Sequence, residues 1–245
     1  YVMFEAAVGW IQPAIEDAAY SYTATASDEE EDALTFAATT LPTWLILVDN
    51  GNGTATLSGT PTNDHVGSNS VLLTVIDAFG EEVTQSFTIA VANTNDAPVF
   101  TCIDITEATE DSVYSYTVTA SDEEGNTLTY LATTLPSWLS FNASTQVLSG
   151  TPLNAHVGNH TIVLTVSDGT VSVEQSFTIT VTPVNDAPVF SSTEITAATE
   201  DVAYSYTATA LDDDSDELTY LATTFPSWLS FNASTQILSG TPENA

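Results

Sequence analysis

The chain is 245 residues long and carries 33 Asp and Glu but no Lys or Arg, a formal net charge of −33. With no fixed cation it cannot pair its carboxylates internally, and it should repel nucleic acid and anionic lipid, so divalent cations or high salt must offset the charge. It is no disordered acidic tail, because 43% of its residues are hydrophobic and Val, Ile, Thr, Tyr and Phe abound.

Residues 1–15 are apolar, match nothing later in the chain and lack the basic start of a signal peptide. No run is long enough to span a membrane, so the chain reads as a mature or excised piece. The phrase Glu16-Asp17…Tyr20-Ser21-Tyr22…Ala26-Ser27-Asp28 then begins a repeat. It recurs from Glu110 and again from Glu200, at intervals of 94 and 90 residues. Insertions at Val48–Thr54 and Ala78–Gly80, both rich in turn residues, account for the difference.

Within the second copy, Tyr114–Ala120 alternates as a half-buried strand does, followed by Leu128–Leu131 and by Leu135–Phe141, which is entered through proline. Asn142–Gln146 turns the chain into Val147–Pro152. Thr161–Ser167 and Val173–Thr182 follow, joined through Asp168-Gly169. About seven short strands in about ninety residues, without helical periodicity, predict an immunoglobulin-like β-sandwich. The fold class is all-β: sandwiches in tandem, over 1–97, 98–187 and 188–245.

Asn95-Asp96-Ala97-Pro98-Val99-Phe100 and Asn185-Asp186-Ala187-Pro188-Val189-Phe190 separate the copies as proline-stiffened connectors. The third copy stops before its last strands. Either the chain continues or a neighbouring subunit supplies strands, with the apolar Tyr1–Ile11 segment as a conceivable donor of one.

These residues carry a resemblance. The Asn-Asp-Ala-Pro-Val-Phe joint resembles the Asp-x-Asn-Asp-Asn-Ala-Pro-x-Phe linker of cadherins. Ala120-Ser121-Asp122-Glu123-Glu124 and Thr165-Val166-Ser167-Asp168-Gly169 resemble cadherin ligand motifs. The phrase Pro136-Ser137-Trp138-Leu139-Ser140-Phe141…Leu148-Ser149-Gly150-Thr151-Pro152 is more specific. It is similar to the dystroglycan-type cadherin-like and "putative Ig" repeats found in tandem in large bacterial surface proteins and adhesins.

The resemblance implies calcium at each joint. By position, Glu16, Asn95, Asp96, Asp122, Glu124 and Asp168 would serve the first joint, and Glu110, Asn185, Asp186, Asp212 and Asp214 the second. Asp28, Glu30 and Asp77 mark a third set. The cadherin Asp-Arg-Glu motif is replaced by Asn63-Asp64-His65 and Asn154-Ala155-His156, which leaves the ion count per joint open. Hard oxygen ligands suit Ca2+, and extracellular modules bind it at roughly 10⁻⁴–10⁻³ M.

Other constellations point nowhere specific. Paired carboxylates arise by chance in so acidic a chain, and no cleft-forming domain suggests a glycosidase, so no enzyme is expected. His65, His156 and His160 lack the company of a zinc site and read as solvated. Trp44, Trp138 and Trp228 read as core, Cys102 as a small half-buried apolar residue, and Asn52, Asn142, Asn159 and Asn232 match glycosylation acceptors. Without Lys, Lys–Asn isopeptide bonds are excluded, which makes calcium the more necessary staple.

The expected function is a calcium-stabilised extracellular stalk, spacer or filament segment in microbial adhesion or surface architecture. The expected partners are calcium, other copies or repeats, and cell-surface glycans or proteins. Two alternatives stand beside it: a carbohydrate-binding accessory region of an extracellular enzyme, and a filament subunit completed by strand donation.

Overall fold

The computed structural model describes residues 2–3 and 11–243. Of the apolar Tyr1–Ile11 segment, Val2–Met3 pairs antiparallel with Ser27–Asp28 of the same chain; most of the rest, and with it the expectation that the segment donates a strand to a neighbour, lies outside the described residues. Strands dominate, and helix among the described residues is limited to two short 3-10 turns, Asn63–His65 and Asn154–His156. None is long or apolar enough to cross a membrane. Two compact units are formed. One holds residues 1–99 with 120–129 and 166–173; the other holds 100–119, 130–165 and 174–245.

In the first unit, a four-stranded sheet runs in the order Ala14–Ile15, Glu82–Ala92, Gly67–Ile76, Thr35–Thr40. A three-stranded sheet of Tyr20–Thr25, Thr54–Gly59 and Leu45–Asp49 faces the same core. Alternation decides which side chains meet. In Thr54–Gly59, Ala55 and Leu57 point inward and are fully buried. Leu57, Val71, Leu73, Val75 and Ile89 are each at most 1% exposed, and such burial stabilises by roughly 1.5–3 kcal/mol per large aliphatic side chain.

The second unit repeats the plan. Tyr114–Thr117, Val147–Gly150 and Leu139–Asn142 form one sheet, with Tyr116 opposite Leu148 and Phe141 opposite Leu148. Ile162, Leu164, Phe177 and Ile179 close the core over them. The same unit carries the third repeat's sheet of Tyr204–Thr207, Ile237–Gly240 and Leu229–Asn232. There Phe190, Tyr206, Tyr220, Phe231 and Leu238 line an open groove of about 550 Å³.

Two of the three recurrent tryptophans belong to the core, as expected from the sequence, while Trp228 is half-buried. Trp44 and Trp138 are buried, and each meets a tyrosine edge-on: Tyr20–Trp44 at 5.6 Å and Tyr114–Trp138 at 5.9 Å between ring centres. Tyr204–Trp228 repeats the contact at 5.8 Å. Cys102 is half-buried beside the second core, and its Sγ accepts a hydrogen bond from the Tyr116 hydroxyl at 2.8 Å.

Two expectations need correction. Val189–Phe190 is not connector: it pairs antiparallel with Ala210–Leu211 as a strand of the third repeat. Pro188 lacks an N–H, but the residues after it are free to pair, so proline marks the strand's entry and not its absence. His65 and His156 are not merely solvated. In each 3-10 turn the ring Nδ1 accepts a backbone N–H, from Thr62 at 3.0 Å and from Leu153 at 2.9 Å. His160 bonds the His156 carbonyl through Nε2 at 2.6 Å.

Candidate metal centre

Glu16 ends the short Ala14–Ile15 strand, which runs parallel to Val91–Ala92. Its N–H donates to the Ala92 carbonyl at 3.0 Å, and its Oε2 accepts the Thr94 N–H at 3.0 Å. The side chain is thereby drawn beneath the connector, where it is only 2% exposed. Glu110 is built the same way beside Glu107–Thr109, with its N–H on the Thr182 carbonyl, its Oε2 on the Val184 N–H at 3.2 Å, and 1% exposure. Two-residue and three-residue parallel pairings thus place a carboxylate at the base of each joint.

At the first joint Glu16, Asp96 and Glu124 converge, each offering one carboxylate oxygen within 4.8 Å of the others. Four carboxylate oxygens are buried without a hydrogen-bond partner: Glu16 Oε1, Asp96 Oδ2, Asp122 Oδ2 and Glu124 Oε1. An ionised oxygen without a partner is costly to bury, so a ligand is called for. Asp122 and Glu124 also serve the backbone, Asp122 Oδ1 accepting the Asn126 N–H at 2.9 Å and Glu124 Oε2 the Asp96 N–H at 3.2 Å.

Asn95 and Asp168 pair with each other. Asn95 Nδ2 donates to Asp168 Oδ2 at 2.8 Å, and Asp168 Oδ1 accepts the Thr170 and Val171 N–H groups. Chiefly through the Val171 N–H, and then through Asn95, these bonds hold the Asp168 carboxyl below its ordinary range. Its oxygens are therefore occupied in a way that those of the converging trio are not.

The second joint differs in its third member. Glu110, Asp111 and Asp186 converge within 4.8 Å, while Asp214 Oδ2 accepts the Asp186 N–H at 2.6 Å. Asp212 Oδ1 takes the Asp214 and Asp216 N–H groups, both at 3.1 Å, and Asn185 Nδ2 bonds the Asp186 carbonyl at 3.0 Å. Asp111 is a residue that position-by-position transfer did not pick out. The Glu-Asp dipeptide opening all three copies was the available signal, and Asp17, Asp111 and Asp201 share a positive φ of 56–58°.

Asn63 and Asn154, at the position of the lost Asp-Arg-Glu motif, also have a task the sequence did not reveal. Asn63 Nδ2 donates to the Glu123 carbonyl at 2.7 Å, and Asn154 Nδ2 donates to the Asp213 carbonyl. An amide latch holds the loop where an acid would have added a ligand. In the third set, Asp28 Oδ1 accepts the Glu30 and Asp32 N–H groups, and Asp77 Oδ1 those of Phe79 and Glu81.

The donors are hard oxygens without a thiol, a set that suits Ca2+ or Mg2+ rather than zinc or copper. Charge crowding appears in the acids themselves. The Asp186 carboxyl is raised above its ordinary 3.8, first by desolvation and then by Asp111, Asp214, Asp213 and Asp212. The Glu123 carboxyl is raised above its ordinary 4.5, first by desolvation and then by Asp96, Asp17, Glu16 and Glu124.

A pH prediction follows for the metal-free protein. A carboxyl whose folded value is raised contributes stability at low pH and loses it as pH rises through that raised value. In chelator, the melting temperature should therefore climb as pH falls from neutral toward 4.5, the ordinary value for Glu123. Asp168, with its lowered value, opposes this only in more acid solution. An ion held by these carboxylates would reverse the trend in excess calcium, since protons would compete with it. Thermal melts across pH with and without calcium check both slopes.

Comparison with known proteins agrees with this architecture. The family described as "Putative Ig domain" matches residues 11–92, 97–182 and 187–245, nearly the whole chain. The chain belongs to that family. A relative, the serine-rich adhesin for platelets of Staphylococcus aureus (strain MSSA476), is 31% identical over 147 residues. That match covers 52% of this chain but only 6% of the adhesin. Among solved structures, mouse cadherin-23 repeats EC22–24 match 99% of this chain and 89% of theirs, with a TM-score of 0.54 at 15% identity, a likeness of fold. An endo-fucoidan hydrolase of glycoside hydrolase family 107 is 30% identical across 96% of this chain and 39% of its own. Its TM-score of 0.37 carries no argument about function.

Proposed function

We propose that this chain is a segment of an extracellular repeat array in which calcium at the joints stiffens a stalk, spacer or filament serving microbial adhesion or cell-surface architecture. The observation that carries the reading is Glu16: a carboxylate only 2% exposed, with Oε1 buried and unpartnered, that converges with the carboxylates of Asp96 and Glu124. In a chain without Lys or Arg, no protein cation of that kind exists to meet it.

Glu16, Asp96, Asp122 and Glu124 would hold the ion at the first joint, and Glu110, Asp111 and Asp186 at the second. Asn95, Asp168, Asn185, Asp212 and Asp214 would complete or orient these sets. When bound, calcium supplies positive charge and several oxygen bonds to residues from the end of one repeat and the start of the next. The protein residues fix how those segments meet. The relation to a bacterial surface adhesin and the cadherin fold support an extracellular setting, where millimolar calcium matches the affinity of such modules.

The reading is tested by chelation. Calcium removal is expected to lower the melting temperature and to change the maximum dimension measured by small-angle X-ray scattering. If both are the same with calcium and with chelator, the proposal fails.

A further inference from the structure

The two joints are built from the same backbone turn but from different side chains. In the first, the loop reads Asp122-Glu123-Glu124-Gly125, with the Gly125 N–H on the Asp122 carbonyl at 3.2 Å and φ of 71° at Gly125. In the second it reads Asp212-Asp213-Asp214-Ser215, with the Ser215 N–H on the Asp212 carbonyl at 3.1 Å and φ of 63° at Ser215. The turn is the same, and what changes at its third position is the length of the acid.

Glu124, one methylene longer, caps the Asp96 N–H at 3.2 Å with Oε2, keeps Oε1 buried and unpartnered, and still offers a carboxylate oxygen to the trio with Glu16 and Asp96. Asp214 is drawn onto the Asp186 N–H at 2.6 Å, and the converging trio takes its third oxygen from Asp111, an exposed residue. The first joint holds four buried carboxylate oxygens without partners. Among the described residues, the second holds none that is both buried and unpartnered. An oxygen already stripped of water and left without a donor gains more from an ion than one that must give up water or a hydrogen bond.

We infer that the two joints bind calcium with unequal affinity, the first more tightly, and that the residue at 124 and 214 sets the difference. The inference rests on the calcium reading above. Its consequence is graded stiffening: as calcium rises, the joint between the first two repeats locks before the next.

Calorimetric titration of calcium into the chelator-treated chain tests it. The expected isotherm has two phases, separated by roughly tenfold in affinity, within the range over which ligand charge and rigidity tune such modules. Glu16→Gln should remove the tighter phase and leave the weaker. Glu124→Asp should weaken the tighter phase toward the weaker one, and Asp214→Glu should strengthen the weaker phase. A single class of sites in the unaltered chain, or two phases that neither exchange moves, would overturn the inference. If the unaltered chain binds no calcium, the calcium reading itself fails, and the inference with it.

Discussion

Glu16→Gln should stabilise the protein in chelator and destabilise it in calcium, so that the two melting curves exchange order. The amide keeps the shape and an acceptor oxygen for the Thr94 N–H, which Glu16 Oε2 now receives. It removes a buried charge set against Asp96 and Glu124, and with it a repulsion that nothing offsets when the ion is absent. In calcium the balance inverts. At about 10 mM free calcium, a site with a dissociation constant of roughly 10⁻⁴–10⁻³ M contributes about 1.4–2.7 kcal/mol to the folded state. For a domain of this size that is about 4–8 °C for each kcal/mol. Melts of both proteins in calcium and in chelator measure the crossing. If the variant is the less stable in both conditions, Glu16 is a packing residue and not a ligand.

The parts of this site that could be read from the sequence are those fixed by the chain's own neighbours. The repeat phrase, the period-two alternation of strands such as Tyr114–Thr117, and the Asn-Asp-Ala-Pro joints all announce themselves locally. So did Glu16, Asp96 and Glu124, through resemblance to a known ligand pattern. The rest depends on contacts between residues far apart in sequence. Asn63 reaches the Glu123 carbonyl across 60 positions, and nothing in Asn63-Asp64-His65 reveals that its amide would act as a latch. The parallel pairing of Ala14–Ile15 with Val91–Ala92 is too short to show any periodicity, yet it is what buries Glu16. The exchange of Glu124 for Asp214 reads as conservative in sequence, yet both cap the linker N–H and only Glu124 also joins the converging carboxylates.

Gly150→Ala should be among the most damaging single-methyl additions in the second repeat, although the position faces no ligand. The phrase Leu148-Ser149-Gly150-Thr151-Pro152 recurs as Leu57-Ser58-Gly59-Thr60-Pro61 and as Leu238-Ser239-Gly240-Thr241-Pro242. Gly150 lies opposite both Tyr114 and Leu139 in the three-stranded sheet. A Cβ built there would sit inside the carbonyl oxygen of Trp138, and those at Gly59 and Gly240 would meet the carbonyls of Trp44 and Trp228 in the same way. The obstacle is backbone, so no rotamer change relieves it. The strand must move away from the segment that seats the buried tryptophan against Tyr114. Overpacking of this kind costs roughly 1–3 kcal/mol when side chains can adjust, and the upper end or beyond is expected where only backbone can give. Denaturant unfolding of Gly150→Ala, with the Trp138 environment followed by fluorescence, should show a large loss of stability and a displaced tryptophan signal, in calcium and in chelator alike. A loss below about 1 kcal/mol would mean that the close approach of these strands is not what keeps glycine at the position. Independence from calcium is the informative part, because it separates the core packing of a repeat from the joint that the proposed ion would complete.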